Sequence, residues 1–255
     1  MLRRFLKGRR SRSLPQGPAG RRAYAVGDVH GRLDLLLQLL SKVEEDHRSR
    51  SPAKAYLIFL GDLVDRGPDS RGVIDHLINH PPGFAKTIFL KGNHEEFFLG
   101  ALGGDLAMLQ NWLAYGGAEC AASYGVSQGA ILNSSPSELL GRLVREVPPA
   151  HLHFLEGMAD TFKFGDYLFV HAGIRPGVDL EAQVSKDLRW IREGFLEDRT
   201  DHGVIVVHGH TIVEDVEEHP NRIAIDTGAY RTGVLTALAL EGTERRFIQA
   251  RQDES

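Results

Sequence analysis

Carboxylates, imidazoles and one amide gather in five short stretches of the chain: "GDVHG" at 27–31, "GDLVDRG" at 61–67, "GNHEE" at 92–96, "FVHAG" at 169–173 and "VVHGHT" at 206–211. This donor mixture suits a divalent Mn, Fe or Zn ion. It is too rich in nitrogen for a calcium site and lacks the thiolates of a structural zinc site. Asp28 and His30 stand two residues apart, so an extended backbone would turn both to one side, where they can hold one ion. Gly31 then permits a sharp turn into whatever follows. Taken singly, each stretch is commonplace, since Gly-Asp after a strand makes a turn and Asn-His makes a cap. Their shared position, each at the end of an apolar run, is what points to one site.

Those apolar runs are the elements that must do the positioning. "AYAV", "AYLIFL" and "TIFL" alternate with the helical patterns "RLDLLLQLLSKVEEDH" and "DSRGVIDHLIN", which reads as successive βαβ units. The runs are continuous rather than alternating, as expected of strands covered on both faces. Ligands of open α/β sheets bind beyond the carboxyl ends of the strands, where the polar clusters lie. From about 97 to 150 the pattern becomes helical and punctuated by glycine, consistent with a mostly helical insertion. Strands resume at "TFKF", which turns into "YLFV", and continue through "VIVV", "RIAI" and "VLTALAL".

Composition limits the classes available. The 255 residues allow a large buried core, and no stretch has the roughly 18–20 apolar residues of a transmembrane helix. The single cysteine, Cys120, excludes an internal disulfide and reads as a small packing residue, so a cytoplasmic location is expected. Eight Lys or Arg precede the first acid, Asp28, which leaves the rest of the chain at about −12. Residues 1–22 therefore read as a basic, disordered tail able to contact an acidic partner, 23–245 as the folded unit and 246–255 as a C-terminal tail. So acidic a body argues against specific nucleic-acid binding, and no G-x-x-x-x-G-K-[ST] loop occurs.

"GDVHG", "GDLVDRG" and "GNHE", in this order and at these separations, with the later "HAG" and "GHT", resemble the signature of the phosphoprotein phosphatase family of metallophosphoesterases. The similarity runs from about Tyr24 to Gly242. Within the family, "WLAYGGAECAASYG", "YLFVHAGIRPG", "DLRWIREGF" and "IDTGAY" look like bacterial serine/threonine protein phosphatases. The resemblance implies an α/β fold: a two-sheet β-sandwich flanked by helices, with the helical stretch as an insertion.

It also implies two divalent metal ions, with Mn expected and Fe or Zn as alternatives. Asp28 and His30 would hold the first, Asp62 would bridge both, and Asn93, His171 and His210 would hold the second, with His208 as the alternative to His210. A hydroxide between the ions would attack phosphorus in line. His94, paired with Asp65, would be the general acid. Arg66 and Arg192 would bind phosphate, Arg189 being the alternative to Arg192, and Asp226 and Tyr230 would lie near the site. Glu95 and Glu96 are explained by the start of a helix. The family pattern "GNHE" leans toward phosphoserine and phosphothreonine in proteins as substrates. Dinucleoside polyphosphates or other small phosphoesters are the alternative, phosphotyrosine remains open, and a scaffold without catalysis is disfavoured by the intact ligand pattern.

Overall fold

The computed structural model describes residues 14–252. Three parallel strands, β1 (Arg21–Val26), β2 (Lys54–Phe59) and β3 (Ala85–Phe89), form one side of a five-stranded sheet. Helix α1 (Leu33–Arg48) joins the first pair and α2 (Ser70–Asn79) the second. Leu35, Leu36, Leu39, Leu40 and Val43 give α1 one buried stripe, and Asp69 caps α2 by accepting the Gly72 N–H at 2.8 Å. Long strands β9 (Val234–Glu241) and β10 (Glu244–Arg251) complete the sheet in the order β10-β9-β1-β2-β3.

The second sheet, ordered β4-β5-β6-β8-β7, comprises β4 (Thr161–Phe164), β5 (Tyr167–Val170), β6 (Ile205–His208), β7 (Glu217–Glu218) and β8 (Arg222–Ala224). Its strands β5, β6 and β8 are parallel. The sheets face each other through a shared apolar core that includes Ala25, Ile58 and Leu238 from one and Phe169, Val207 and Ile223 from the other. Helices cover the outer face of the first sheet. The architecture is the two-sheet sandwich flanked by helices that the resemblance implies. Burial on both faces accounts for the unbroken apolar runs of β1 and β2, whereas β3, at the sheet edge, is only half-buried.

Between β3 and β4 lie α3 (Asn93–Leu102), α4 (Leu106–Trp112), α5 (Ala118–Ser123), α6 (Gln128–Asn133), α7 (Pro136–Glu146) and α8 (Pro149–Glu156). The helical region thus begins at Asn93 and ends at Glu156, slightly wider than the span of 97–150 read from the sequence. Two short helices follow later, α9 (Ser185–Trp190) and α10 (Ala229–Thr232). Among the described residues no helix is long and apolar enough to cross a membrane.

Both tail boundaries need correction. Residues counted with the C-terminal tail form β10, an edge strand whose Ile248 and Ala250 pack against the core while Arg246 pairs with Asp46 at 3.0 Å. At the other end, Arg21 and Arg22 belong to β1, and the wholly buried Arg22 meets Glu241 at 2.8 Å. The remaining basic residues of the tail, Arg3 to Arg12, lie outside the described residues. Cys120 is buried and free, as a packing residue should be.

Candidate dimetal site

The polar clusters follow the parallel strands of both sheets and converge between them. Asp28 and His30 come after β1, Asp62 after β2, Asn93 after β3, His171 after β5 and His210 after β6. All six are buried. Two groups of donors result: His30, Asp62 and His94 form one, and Asp62, His171 and His210 the other, with the donor atoms in each within 4.8 Å of one another. Asp62 belongs to both. Its Oδ2 lies 3.7 Å from His30 Nε2 and 3.4 Å from His171 Nε2. Asn93 Oδ1 is 2.9 Å, and His210 Nδ1 3.2 Å, from His171 Nε2. Asp28 joins by accepting the His210 N–H at 3.0 Å. His208 turns away, its ring packed edge-on against Phe195 at 5.2 Å.

The backbone here is unlike the rest of the described residues. Five described residues other than glycine have positive φ: His30 at 46°, Asp62 at 48°, Asp65 at 74°, Arg66 at 65° and His210 at 63°. Each such conformation costs on the order of 1 kcal/mol and persists only where surroundings enforce it. The extended backbone expected from Asp28 to His30 is therefore absent. His30 is turned in instead by a left-handed residue and by its Nδ1–H, which donates to the Val64 carbonyl at 2.8 Å. His171 does likewise, donating from Nδ1 to Leu60 O at 2.9 Å. A carbonyl can only accept, so both rings present Nε2 to the cluster.

Glu95 does more than begin a helix. Fully buried, it accepts the N–H groups of Asp62 at 2.9 Å, Leu63 at 2.7 Å and Gly92 at 2.8 Å. It ties the strained Asp62 turn to the start of α3. Gly92 has to be glycine there, because a Cβ would overlap Asp62 Oδ1. Glu95→Ala would strand three buried donors. It is expected to cost roughly 3 kcal/mol in stability and about 10- to 100-fold in metal affinity, measured by urea unfolding and Mn titration. Wild-type values in both would sink this tie. Glu96, by contrast, pairs with Arg189 at 3.0 Å.

His94 and Asp65 meet at 2.6 Å through Nδ1 and Oδ2, and the indole N–H of the buried Trp112 donates to the other Asp65 oxygen at 2.8 Å. Nothing local to Trp112 in the sequence marks it for this contact. Burial disfavours the His94 imidazolium, but the charge of Asp62 and the bond to Asp65 outweigh it and raise its pKa. Its Nε2 faces Asp62 at 4.0 Å. This is a ring held by one nitrogen and aimed by the other, able to carry a proton near neutral pH.

Both arginines expected to bind phosphate, Arg66 and Arg192, stand beside the cluster. Arg66 places a guanidinium nitrogen 3.3 Å from His30 Nε2 and 3.3 Å from the Tyr230 hydroxyl, with its Cζ 4.9 Å over the Tyr230 ring. Its backbone N–H donates to Gly116 O at 2.9 Å. A Cβ at Gly116, whose φ is 104°, would strike the Arg66 side chain. Arg192 donates to the His210 carbonyl at 3.4 Å. Arg189, the alternative to Arg192, is held by Asp160 at 2.6 Å and by Glu96, so it is not free for phosphate.

The residues present fit a pair of cations. Asp28 Oδ1 and His210 Nε2 are buried with no hydrogen-bond partner. Burial, then the neighbouring Asp226 and Asp62, push the Asp28 carboxyl well above the usual range, and burial lifts Asp226 to about 6. So many carboxylates cannot all ionise there without positive charge. Burial also holds His30 at about 3, which keeps its imidazole neutral as a ligand must be.

Comparison with known proteins agrees. Residues 21–234 match the calcineurin-like phosphoesterase family. The chain belongs to that family. Among its relatives, the bis(5'-nucleosyl)-tetraphosphatase PrpE [asymmetrical] of Halalkalibacterium halodurans is 26% identical over 245 residues, covering 89% of this chain and 93% of the relative. Serine/threonine-protein phosphatase 2 of Escherichia coli is 30% identical over 228 residues, 85% of this chain and 91% of the relative. A solved structure provisionally named as a diadenosine tetraphosphatase superimposes with a TM-score of 0.64 at 19% identity, covering 94% of this chain and 98% of the other. That likeness speaks for the fold. The chain therefore combines the two-sheet sandwich with a donor set suited to two metal ions.

Proposed function

We propose that the chain is a metal-dependent hydrolase of phosphate esters and anhydrides, with dinucleoside polyphosphates as its preferred class. The sharing of Asp62 between two buried donor groups carries the reading of the chemistry. Similarity to tetraphosphatases across most of the chain supports the substrate class. In this reading Asp28, His30 and Asp62 would hold one ion, and Asp62, Asn93, His171 and His210 would hold the other. Mn, Fe and Zn all suit these donors. Bound there, the ions would polarise phosphoryl oxygens and lower the pKa of water.

The chain's own groups do the rest. Arg66 and Arg192 bind and orient the phosphoryl oxygens. Asp65, steadied by Trp112, holds His94 Nδ1 so that Nε2 can deliver a proton to the departing oxygen. The glutamate of "GNHE" suggested protein substrates from the sequence. In the structure its carboxylate is occupied by three backbone N–H groups, so its identity reports on the Asp62 turn rather than on the substrate.

Hydrolysis of phosphoserine and phosphothreonine in proteins is the second reading, favoured by the similarity to protein phosphatases. Turnover of diadenosine tetraphosphate and of phosphoserine, phosphothreonine and phosphotyrosine peptides, with Mn supplied, separates the two. The highest kcat/KM is expected on diadenosine tetraphosphate. The reverse ranking would put the protein-phosphatase reading first, and no cleavage of any of them would overturn the hydrolase.

A further inference from the structure

Between α4 and α5 the chain makes one wide turn, Leu113–Gly117, with a kink at Tyr115 and Gly116. Such irregular turns inside helices recur at functional sites. This one leaves Tyr115 58% exposed, an unusual fate for a large aromatic side chain in the middle of a folded region. The ring is not loose. It lies parallel to Phe97 within 4°, with centroids 5.9 Å apart. Phe97 in turn meets Trp190 edge-on at 4.8 Å, and Trp190 meets His210 at 6.4 Å. An aromatic row thus leads from the donor cluster to an exposed ring. The same residue's carbonyl accepts from Arg66 Nε at 3.5 Å, so the turn that carries the ring also holds the guanidinium beside His30.

We propose that Tyr115, backed by Phe97 and Trp190, is the stacking platform for a nucleobase of the substrate. The proposal rests on reading the site as a hydrolase of dinucleoside polyphosphates. Two rings separate Tyr115 from His210. That spacing suits a flat group carried several bonds from phosphorus, as a ribose carries its base. It does not suit phosphotyrosine, whose ring is bonded to the phosphate through a single oxygen. A base gains by stacking whatever its sequence identity, because every base has a π-face.

The test uses the Mn-loaded protein with p-nitrophenyl phosphate as reporter, and reads the inhibition constants of AMP, inorganic phosphate and a phosphotyrosine peptide. Tyr115→Ala is expected to lower the preference for AMP over phosphate by about 10-fold. Tyr115→Phe, which keeps the π-face, should retain it. Equal weakening of AMP and phosphate overturns the proposal, as does a Phe variant as impaired as Ala. A loss falling mainly on the phosphotyrosine peptide overturns it too. Failure of the wild-type protein to cleave diadenosine tetraphosphate would instead strike the substrate reading, whatever the AMP preference.

Discussion

Asp62→Asn is expected to empty both metal positions and to reduce turnover by about 10³-fold or more, the equivalent of losing roughly 4 kcal/mol of transition-state stabilisation. Asp62 is the one residue common to both donor groups, and only a carboxylate offers two anionic oxygens. Burial works against its charge, yet His171 and His94 beside it hold its pKa well below the usual carboxylate range. An anion at this position is what two cations would need. Asparagine has nearly the same shape and can still accept the His94 N–H that Asp62 Oδ1 accepts at 3.0 Å. The fold should survive, as circular dichroism and the unfolding midpoint will report. Elemental analysis of metal per chain, read beside kcat, decides the matter. A variant retaining two ions and normal turnover would remove Asp62 from its shared position.

The sequence exposed much of this arrangement because the physics of a parallel sheet is local. Strands buried on both faces must be apolar without interruption, so β1, β2, β5 and β6 stand out, and their polar termini mark the cluster. β10 stayed hidden for the opposite reason. An edge strand that is only partly buried on either face can carry Arg245, Arg246 and Gln249 and read as a tail until its pairing with β9 is seen. The turns at the site were equally opaque. Nothing in "GDVHG" announces that His30 is left-handed, because the strain is enforced by partners elsewhere, among them Val64 O. Trp112 lies 47 residues from the Asp65 that it holds, a distance no local pattern spans. Glu95 looked like an ordinary helix-start acid because that role is real. Its bonds to Asp62 and Leu63 come from the other side of a β-strand and a helix.

His94→Asn is expected to lower kcat by about 10²- to 10⁴-fold on alkyl phosphates while leaving metal content intact. On p-nitrophenyl phosphate, whose leaving group needs no proton, the loss should be much smaller. The contrast matters because His94 also lies within reach of His30 and Asp62 as a donor, so geometry alone allows a ligand as well as an acid. A ligand would take an ion with it when removed, and would impair good and poor leaving groups alike. The dyad with Asp65 supplies a second, independent reading. His94 titrates above its ordinary value, because the charge of Asp62 and the bond to Asp65 outweigh burial. As an acid it acts only while protonated, so activity should fall as pH rises through that raised pKa. Asp65→Asn removes the charge and weakens the hold on Nδ1, so this alkaline limb should move to lower pH with both ions still bound. An unmoved limb would show that the proton lost there is not the one on His94, and the general acid would have to be sought elsewhere.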